Sequence, residues 1–161
     1  MTSATENLLA LLDTPMRHAT AVDLTDAHTA RTTLEKHYPF EGDEAQALRS
    51  ALMTAVDEGL ICNRGKDPVR YSRLAKPEDT QHDLSVDFVW MTGGGINHRH
   101  PKGEVNLCFS VEGEAKFDGK PEGWVTFEPG SAHVPTVTDG RMLIVYFLPS
   151  GEVEWINEGK A

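Results

Sequence analysis

The stretch that decides the fold is residues 93–113, GGGINHRHPKGEVNLCFSVEG. It contains His98, His100 and Glu104, with a Pro-Lys-Gly turn between the last two. Side chains two residues apart in a strand point to the same face, so the two histidines project together and Glu104 starts the next strand beside them. Two imidazoles and a carboxylate from adjacent strands are suitable ligands for a first-row divalent metal ion. The spacing therefore predicts a metal site.

A second stretch, residues 123–133 (GWVTFEPGSAH), supplies a third histidine. Pro129 and Gly130 predict a turn, after which His133 opens a strand that can return to the same cavity. A lone histidine is usually a surface or hydrogen-bonded residue, and the alternative here is a barrel without metal. Three histidines and a glutamate at both spacings are a stronger signal. The predicted ligands of one divalent metal ion are His98, His100, Glu104 and His133.

Short strands are predicted through most of the chain after residue 60. Residues 60–62 and 69–74 flank a turn and predict a hairpin. Glycines and prolines separate the further strand candidates, which are 84–91, 96–100, 104–111, 114–118, 123–128, 132–138 and 141–148. Many short strands at such spacing indicate an all-β sandwich or barrel.

The first sixty residues are predicted to be helical. Residues 5–13 form a short apolar helix candidate, and residues 26–37 form a second that Pro39 ends. A third begins after Gly42 and Asp43 and ends at Gly59, with apolar residues at helical spacing between them. We therefore divide the chain into a helical N-terminal extension, residues 1–60, and a β-barrel domain, residues 61–161.

Length and charge narrow the possible functions. A chain of 161 residues suits one domain with a small extension. Its net charge of −10 disfavours binding to a nucleic-acid backbone. The apolar run at residues 8–12 is too short for a signal sequence or a membrane span, and the two cysteines fit free thiols in a reducing compartment. We predict a cytoplasmic protein that binds neither nucleic acid nor a membrane.

Three further residues are candidates for contact with a substrate. Asn106 and Cys108 share strand parity with Glu104, so they are predicted to line the same cavity. A small core residue is an equally good interpretation of Cys108. Arg73 lies in the predicted hairpin, where its guanidinium would suit a substrate carboxylate, although a solvated charge is the alternative.

The two metal-ligand stretches together resemble the two motifs of cupin proteins. The glycine, two histidines and glutamate of the first motif are present, as are the glycine, proline, glycine and histidine of the second. The resemblance implies a mainly β fold, a cupin-type β-barrel (double-stranded β-helix), here with an N-terminal helical extension. It also implies a homodimer, because cupins often exchange strands between subunits.

Several stretches resemble the 4-hydroxylaminobenzoate lyase family and cover most of residues 55–155. They are residues 58–65 (EGLICNRG), 69–78 (VRYSRLAKPE), 85–89 (SVDFV), 98–107 (HRHPKGEVNL), 115–119 (AKFDG), 123–137 (GWVTFEPGSAHVPTV) and 143–151 (LIVYFLPSG). The resemblance implies a metal-dependent lyase of nitroaromatic degradation. Its substrate would be a small aromatic acid, 4-hydroxylaminobenzoate, and its products 3,4-dihydroxybenzoate and ammonia.

The predicted metal site and cavity give roles to individual residues. Glu104 and His133 are the predicted catalytic residues, with Glu104 either a fourth ligand or a proton carrier, and Arg73, Asn106 and Cys108 are predicted to bind the substrate. Iron, manganese, zinc and nickel all remain open as the metal. Two alternatives also remain open: an iron-dependent dioxygenase on the same ligand set, and a non-catalytic cupin that binds a small ligand.

Overall fold

A computed structural model of the chain describes residues 3–80 and 82–156. The helices come first, as α1 (Ala4–Ala21), α2 (Ala27–His37) and α3 (Asp43–Asp57), with 3₁₀ turns at Leu24–Asp26 and Pro77–Asp79. The strands follow. They are β1 (Arg64–Lys66), β2 (Val69–Ala75), β3 (Leu84–Gly94), β4 (His98–His100), β5 (Glu104–Phe117), β6 (Gly123–Phe127), β7 (Ser131–His133), β8 (Thr136–Pro149) and β9 (Glu154–Trp155).

The strands form two antiparallel sheets. The larger sheet has the order β1-β2-β3-β8-β5-β6, and the smaller one has the order β7-β4-β9. His100 on β4 and His133 on β7 both contact Glu104 on β5. The smaller sheet therefore packs against the larger one near the start of β5. The predicted mainly β architecture with helices at its N-terminus is confirmed.

The two faces of the larger sheet pack against different partners. Val105 and Leu107 belong to a core that includes residues of all three helices, such as Leu48. Cys108 and Tyr146 belong to a separate apolar cluster on the inner face. The predicted parity of β5 is therefore confirmed, with Val105 and Leu107 opposite Glu104, Asn106 and Cys108.

The helices and the outer face of the sheet share one continuous hydrophobic core. Polar contacts join them as well: the indole N–H of Trp124 on β6 donates to the carbonyl of Tyr38 at 2.8 Å, and Arg31 on α2 donates back to the carbonyl of Trp124 at 2.9 Å. The helices thus pack on the outer face of the sheet, and the inner face is available for the candidate site. The division at residue 60 stays a prediction.

The first helix is longer than predicted. It was expected over residues 5–13, whereas α1 continues through Pro15 to Ala21. A proline inside a helix removes one backbone hydrogen bond. The buried residues Leu8, Leu12, Met16 and Ala19 nevertheless extend one apolar stripe past it, so the burial of that stripe outweighs the missing bond.

The predicted hairpin is shifted at its first strand. Residues 60–62 are not a strand but complete the end of α3, where the amide of Leu60 donates to the carbonyl of Ala55 at 2.9 Å. The strand that pairs with β2 is instead β1. All residues of β1 are exposed, so the sequence has no apolar periodicity there that would predict a strand.

Two predicted strand breaks are internal to long strands. The strands predicted over 104–111 and 114–118 are parts of the single strand β5, which ends at Phe117, and β8 runs through Gly140. Gly113 and Gly140 pair directly across the two strands, both with positive φ, and an added Cβ on either would clash with the other strand's backbone. These glycines permit a close backbone approach at a bulge rather than ending the strands.

Candidate metal centre

The strand β4 presents two histidines to the inside of the barrel. His98 and His100 are 5% and 1% exposed, while Arg99 between them points outward and pairs with Glu154 at 3.0 Å. This is the alternation expected of a strand. The His-x-His spacing therefore places both imidazoles on the same, buried side.

Glu104 reaches these histidines because the chain reverses direction between them. The amide of Gly103 donates to the carbonyl of His100 at 3.1 Å, which closes the turn. Glu104 then opens β5 with a fully buried side chain. Its Oε2 contacts Nε2 of His100 and lies 3.5 Å from Nε2 of His133.

His133 arrives from β7, which pairs with β4. His98 and His133 are register partners, and Nε2 of His133 lies 3.3 Å from Nε2 of His100. One ligand atom from each of His98, His100, Glu104 and His133 lies within 4.8 Å of all the others. Ligand atoms about 2 Å from one ion are separated by about 3 Å, so the cluster can hold a single metal ion.

Asp118, which directly follows β5, positions His133 and was not found from the sequence. Its Oδ2 accepts a hydrogen bond from Nδ1 of His133 at 2.5 Å, and its Oδ1 accepts one from the amide of Thr136 at 2.9 Å. A metal-ligating histidine usually donates its second ring N–H to a carboxylate or carbonyl in this way. Asp118 therefore turns Nε2 of His133 toward the cluster.

His98 is oriented by a similar device. Its Nδ1 donates to the carbonyl of Ile96 at 2.8 Å, which leaves Nε2 free for a ligand. A hydrogen bond to a backbone carbonyl two residues away cannot be predicted from the sequence.

The contact between Asp118 and His133 had one weak sequence signal, the Asp-Gly pair at 118–119, but this pair is also typical of an ordinary turn.

The chemistry of the cluster fits a cation. Nδ1 of His100 and Oε1 of Glu104 are buried and have no hydrogen-bond partner among residues 3–80 and 82–156. A buried polar atom left without a partner costs about 1–3 kcal/mol. A carboxylate oxygen with no donor, beside three imidazoles, is the arrangement expected where a cation completes the site.

Protonation in this cluster is set by the two carboxylates. Burial opposes a charge on His133, but the carboxylates of Asp118 and Glu104 outweigh it and raise its pKa to about 9. Burial also opposes the charge of Glu104, but hydrogen bonds from His100 and His133 keep its pKa below the usual value. Burial lowers the pKa of His98. Without metal, the site thus contains an imidazolium–carboxylate pair.

Asn106 and Cys108 follow Glu104 along the inner face of β5. Both are fully buried. Neither the Oδ1 nor the Nδ2 of Asn106 has a hydrogen-bond partner in the described part of the chain. Cys108 is a free thiol inside the apolar cluster, and burial raises its pKa, so it stays neutral.

Arg73 lies on the same face but away from the cluster. The strand registers place Asn106, Tyr146, Asp87 and Arg73 in one row across four strands. At about 4.8 Å per strand, Arg73 is about 14 Å from Asn106 along this row. Its guanidinium pairs with Asp87 at 2.6 Å. A role for Arg73 in substrate binding stays a prediction.

The sequence pattern that defines the PnbB, or 4-hydroxylaminobenzoate lyase, family matches residues 17–155. The chain belongs to this family. Among curated proteins, it is 27% identical over 140 residues to a 4-hydroxylaminobenzoate lyase of Pseudomonas putida, covering 76% of this chain and 80% of that one. It is 31% identical over 110 residues to one of Nocardioides sp., covering 62% and 65%. The suspected family membership is confirmed.

Solved cupin structures resemble the chain in fold. An RmlC-like cupin protein from Ralstonia eutropha has a TM-score of 0.42 at 14% identity, covering 60% of this chain and 64% of that one. The DMSP lyase DddQ from Ruegeria pomeroyi has a TM-score of 0.42 at 19% identity, covering 72% and 65%. The two antiparallel sheets and the N-terminal helices of the chain itself agree with the predicted cupin-type architecture. Within the described residues, each helix is too short or too polar to cross a membrane.

Proposed function

We propose that the protein is a metal-dependent lyase that converts 4-hydroxylaminobenzoate, or a related aromatic hydroxylamine, to 3,4-dihydroxybenzoate and ammonia. One observation carries the proposal: in a member of this family, the ligand atoms of His98, His100, Glu104 and His133 converge within 4.8 Å inside the barrel. The cofactor is one divalent ion, with iron, manganese, zinc and nickel all suited to these ligands.

The reaction balances without an external oxidant. One 4-hydroxylaminobenzoate and one water together contain the atoms of one 3,4-dihydroxybenzoate and one ammonia. The N–O bond, the C–N bond and one ring C–H bond break, and the two ring carbons that lose nitrogen and hydrogen gain hydroxyl groups. The N–O bond accepts the two electrons that the ring gives up. The enzyme therefore has to bind the hydroxylamine, supply water and move protons.

The cluster divides these tasks among its residues. When bound, a divalent ion supplies Lewis acidity toward an oxygen atom or a water molecule. Nε2 of His98 and of His133 point into the cluster because their Nδ1 atoms are engaged elsewhere. Glu104 has one oxygen against His100 and a second without a hydrogen-bond partner among the described residues. This second oxygen is placed to accept a proton from water or substrate. Glu104 is ionised, since burial raises its pKa but hydrogen bonds from His100 and His133 lower it below the usual value.

Asn106 is proposed to bind the hydroxylamine group itself. A carboxamide both donates and accepts hydrogen bonds, and the N-hydroxylamino group does the same. The side chain of Asn106 is buried beside Glu104 with neither polar atom bonded to the described residues. Cys108, two residues after Asn106 on the same face of β5, would limit how deeply the substrate enters. Arg73 stays the candidate partner of the substrate carboxylate.

The test is an anaerobic assay of metal-loaded enzyme with 4-hydroxylaminobenzoate, in which ammonia and the catechol product are both measured. We expect equal yields of the two, with and without air. His100→Ala should abolish both products. His82→Ala, which changes a histidine bound to Asp13 outside the cluster, should leave them unchanged. Product only in air would instead indicate a dioxygenase. No turnover in either condition, with metal bound, would contradict the proposed substrate.

A further inference from the structure

The segment after β8 returns to the candidate metal centre. Its strand β9 pairs with β4, so that Trp155 lies opposite His98 and Glu154 lies opposite Arg99. The amide of Ile156 donates to the carbonyl of Asn97 at 3.0 Å and continues the pairing. The segment therefore forms an edge of the small sheet, beside two of the cluster's histidines.

Two ion pairs hold this segment in place. Arg99 pairs with Glu154 at 3.0 Å, and Lys102 pairs with Glu152 at 3.0 Å. Arg99 and Glu154 lie on the outer face of the small sheet, so the next residue, Trp155, lies on the inner face with the cluster. The indole and the imidazole of His98 meet edge to face, with ring centroids 5.4 Å apart and planes at 70°.

The exposure of Trp155 is unusual for its position. Its side chain is 64% exposed although it touches a histidine that is 5% exposed. Trp124, by contrast, is 1% exposed in the core. The contact with His98 occupies only part of the indole, so a large apolar surface is open to solvent beside a polar cluster. Tryptophan is enriched at binding surfaces where one part of the indole is packed and the other is in contact with water.

We propose that Trp155 is a specificity-determining residue, whose exposed indole beside His98 forms a wall on which the aromatic ring of the substrate packs. The inference rests on the proposed function for its choice of an aromatic ring. A ring that packs on Trp155 would have its substituent directed past His98 toward the cluster. Offset stacked and edge-to-face aromatic pairs are both favourable, so Trp155 would distinguish flat aromatic acids from saturated ones.

The role assigned to Trp155 is in binding and not in chemistry. It would stabilise the bound substrate and the transition state equally, so its loss should raise KM and leave kcat nearly unchanged. Removal of an aromatic wall should weaken binding by about tenfold. A phenylalanine at this position keeps a flat ring and should restore most of the affinity.

The experiment is a fluorescence titration of the purified full-length protein with 4-hydroxybenzoate, an unreactive aromatic acid, and with its saturated analogue 4-hydroxycyclohexanecarboxylate. The variants are Trp155→Leu and Trp155→Phe. The matched control is Trp90→Phe, which changes a tryptophan on β3 that packs under Arg70, with the guanidinium 5.3 Å from the ring centroid. Thermal unfolding of each variant verifies that it is folded, and equilibrium dialysis gives the affinities that fluorescence cannot report.

We expect the wild type and Trp90→Phe to prefer the aromatic probe and to show a change in tryptophan emission on binding. Trp155→Leu should bind the aromatic probe about tenfold more weakly and lose the preference, whereas Trp155→Phe should remain within about threefold of wild type without the emission change. Equal affinity in wild type and Trp155→Leu overturns the inference, even with lyase activity present. So does a wild type that binds neither probe. Binding that depends on Trp155 in a protein without lyase activity supports the inference and contradicts the proposed function.

Discussion

The two faces of β5 carry opposite chemistry in alternate residues. On the outer face, Val105 and Leu107 are apolar, fully buried and packed against the helices. On the inner face, Glu104 and Asn106 are equally buried but retain polar atoms without hydrogen-bond partners in the part of the chain that the structure describes. Buried apolar side chains, as on the outer face, are what selection for stability alone would produce. The inner face costs stability, and the difference indicates which residues of the strand serve function.

The largest expected effect is on the inner face, at Glu104. Glu104→Gln keeps the size of the side chain but removes its charge and its ability to accept a proton. We expect kcat for 4-hydroxylaminobenzoate to fall by about 10³, since a positioned proton carrier typically contributes about 10²–10⁴. Steady-state kinetics measures this. Glu112→Gln, an exposed residue of the same strand that pairs with Arg141, is the control and should stay within about twofold. Equal activity in the two variants would show that Glu104 has no role in the chemistry.

A substitution on the outer face should lower the stability of the protein and leave its metal content and KM unchanged. Leu107→Ala removes a fully buried side chain from the core between sheet and helices. It should lower the free energy of unfolding by about 2–5 kcal/mol, as measured by chemical denaturation. At a temperature where the variant is folded, its metal content and KM should match wild type. A loss of metal without a loss of stability would contradict the division between the two faces.

The charge of His133 makes metal affinity depend on pH. Its pKa in the metal-free protein is about 9, and a histidine binds metal only when neutral. Because the imidazolium form dominates below this pKa, the apparent metal affinity should fall about tenfold per unit as pH drops from 9 to 7. The same raised pKa stabilises the metal-free protein at low pH, and that contribution is lost as pH rises through 9.

Asp118→Asn is the variant that tests the origin of this dependence. Loss of the Asp118 carboxylate lowers the pKa of His133, so the slope of metal affinity between pH 7 and 9 should flatten. Isothermal titration calorimetry at several pH values gives both the affinity and the number of protons released. An unchanged slope in the variant would mean that Asp118 does not control His133.

The smallest effect is expected at Asn106. Asn106→Leu replaces a buried amide without partners by an apolar side chain of similar size, which should raise the stability of the metal-free protein by about 1 kcal/mol. The same change should raise KM for the hydroxylamine about tenfold or more, because its hydrogen bonds to the substrate are lost. A variant that is both less stable and fully active would show that Asn106 is structural. Denaturation and steady-state kinetics together decide this.

Local patterns were enough to predict the four clustered residues, since both motifs are short and strand alternation fixes the direction of each side chain. The parity of Asn106 and Cys108 followed from the same rule. Asp118 could not be predicted because its partner, His133, lies 15 residues further along the chain. Its role depends on where β5 ends relative to β7.

The remaining errors have physical causes of the same kind. Gly113 and Gly140 suggested strand ends, but they face each other where two long strands approach closely. The end of α1 was placed before Pro15, although the buried stripe continues beyond it. In each case a tertiary contact overrode a local signal.

The most direct test of the central claim is the metal content of protein purified without chelators, measured by elemental analysis. We expect about one divalent ion per chain in the wild type, and little in His98→Ala and His133→Ala, since each removes one of four converging ligands. His82→Ala should retain the full amount, because His82 pairs with Asp13 outside the cluster. Full metal content in both His98→Ala and His133→Ala would contradict the account.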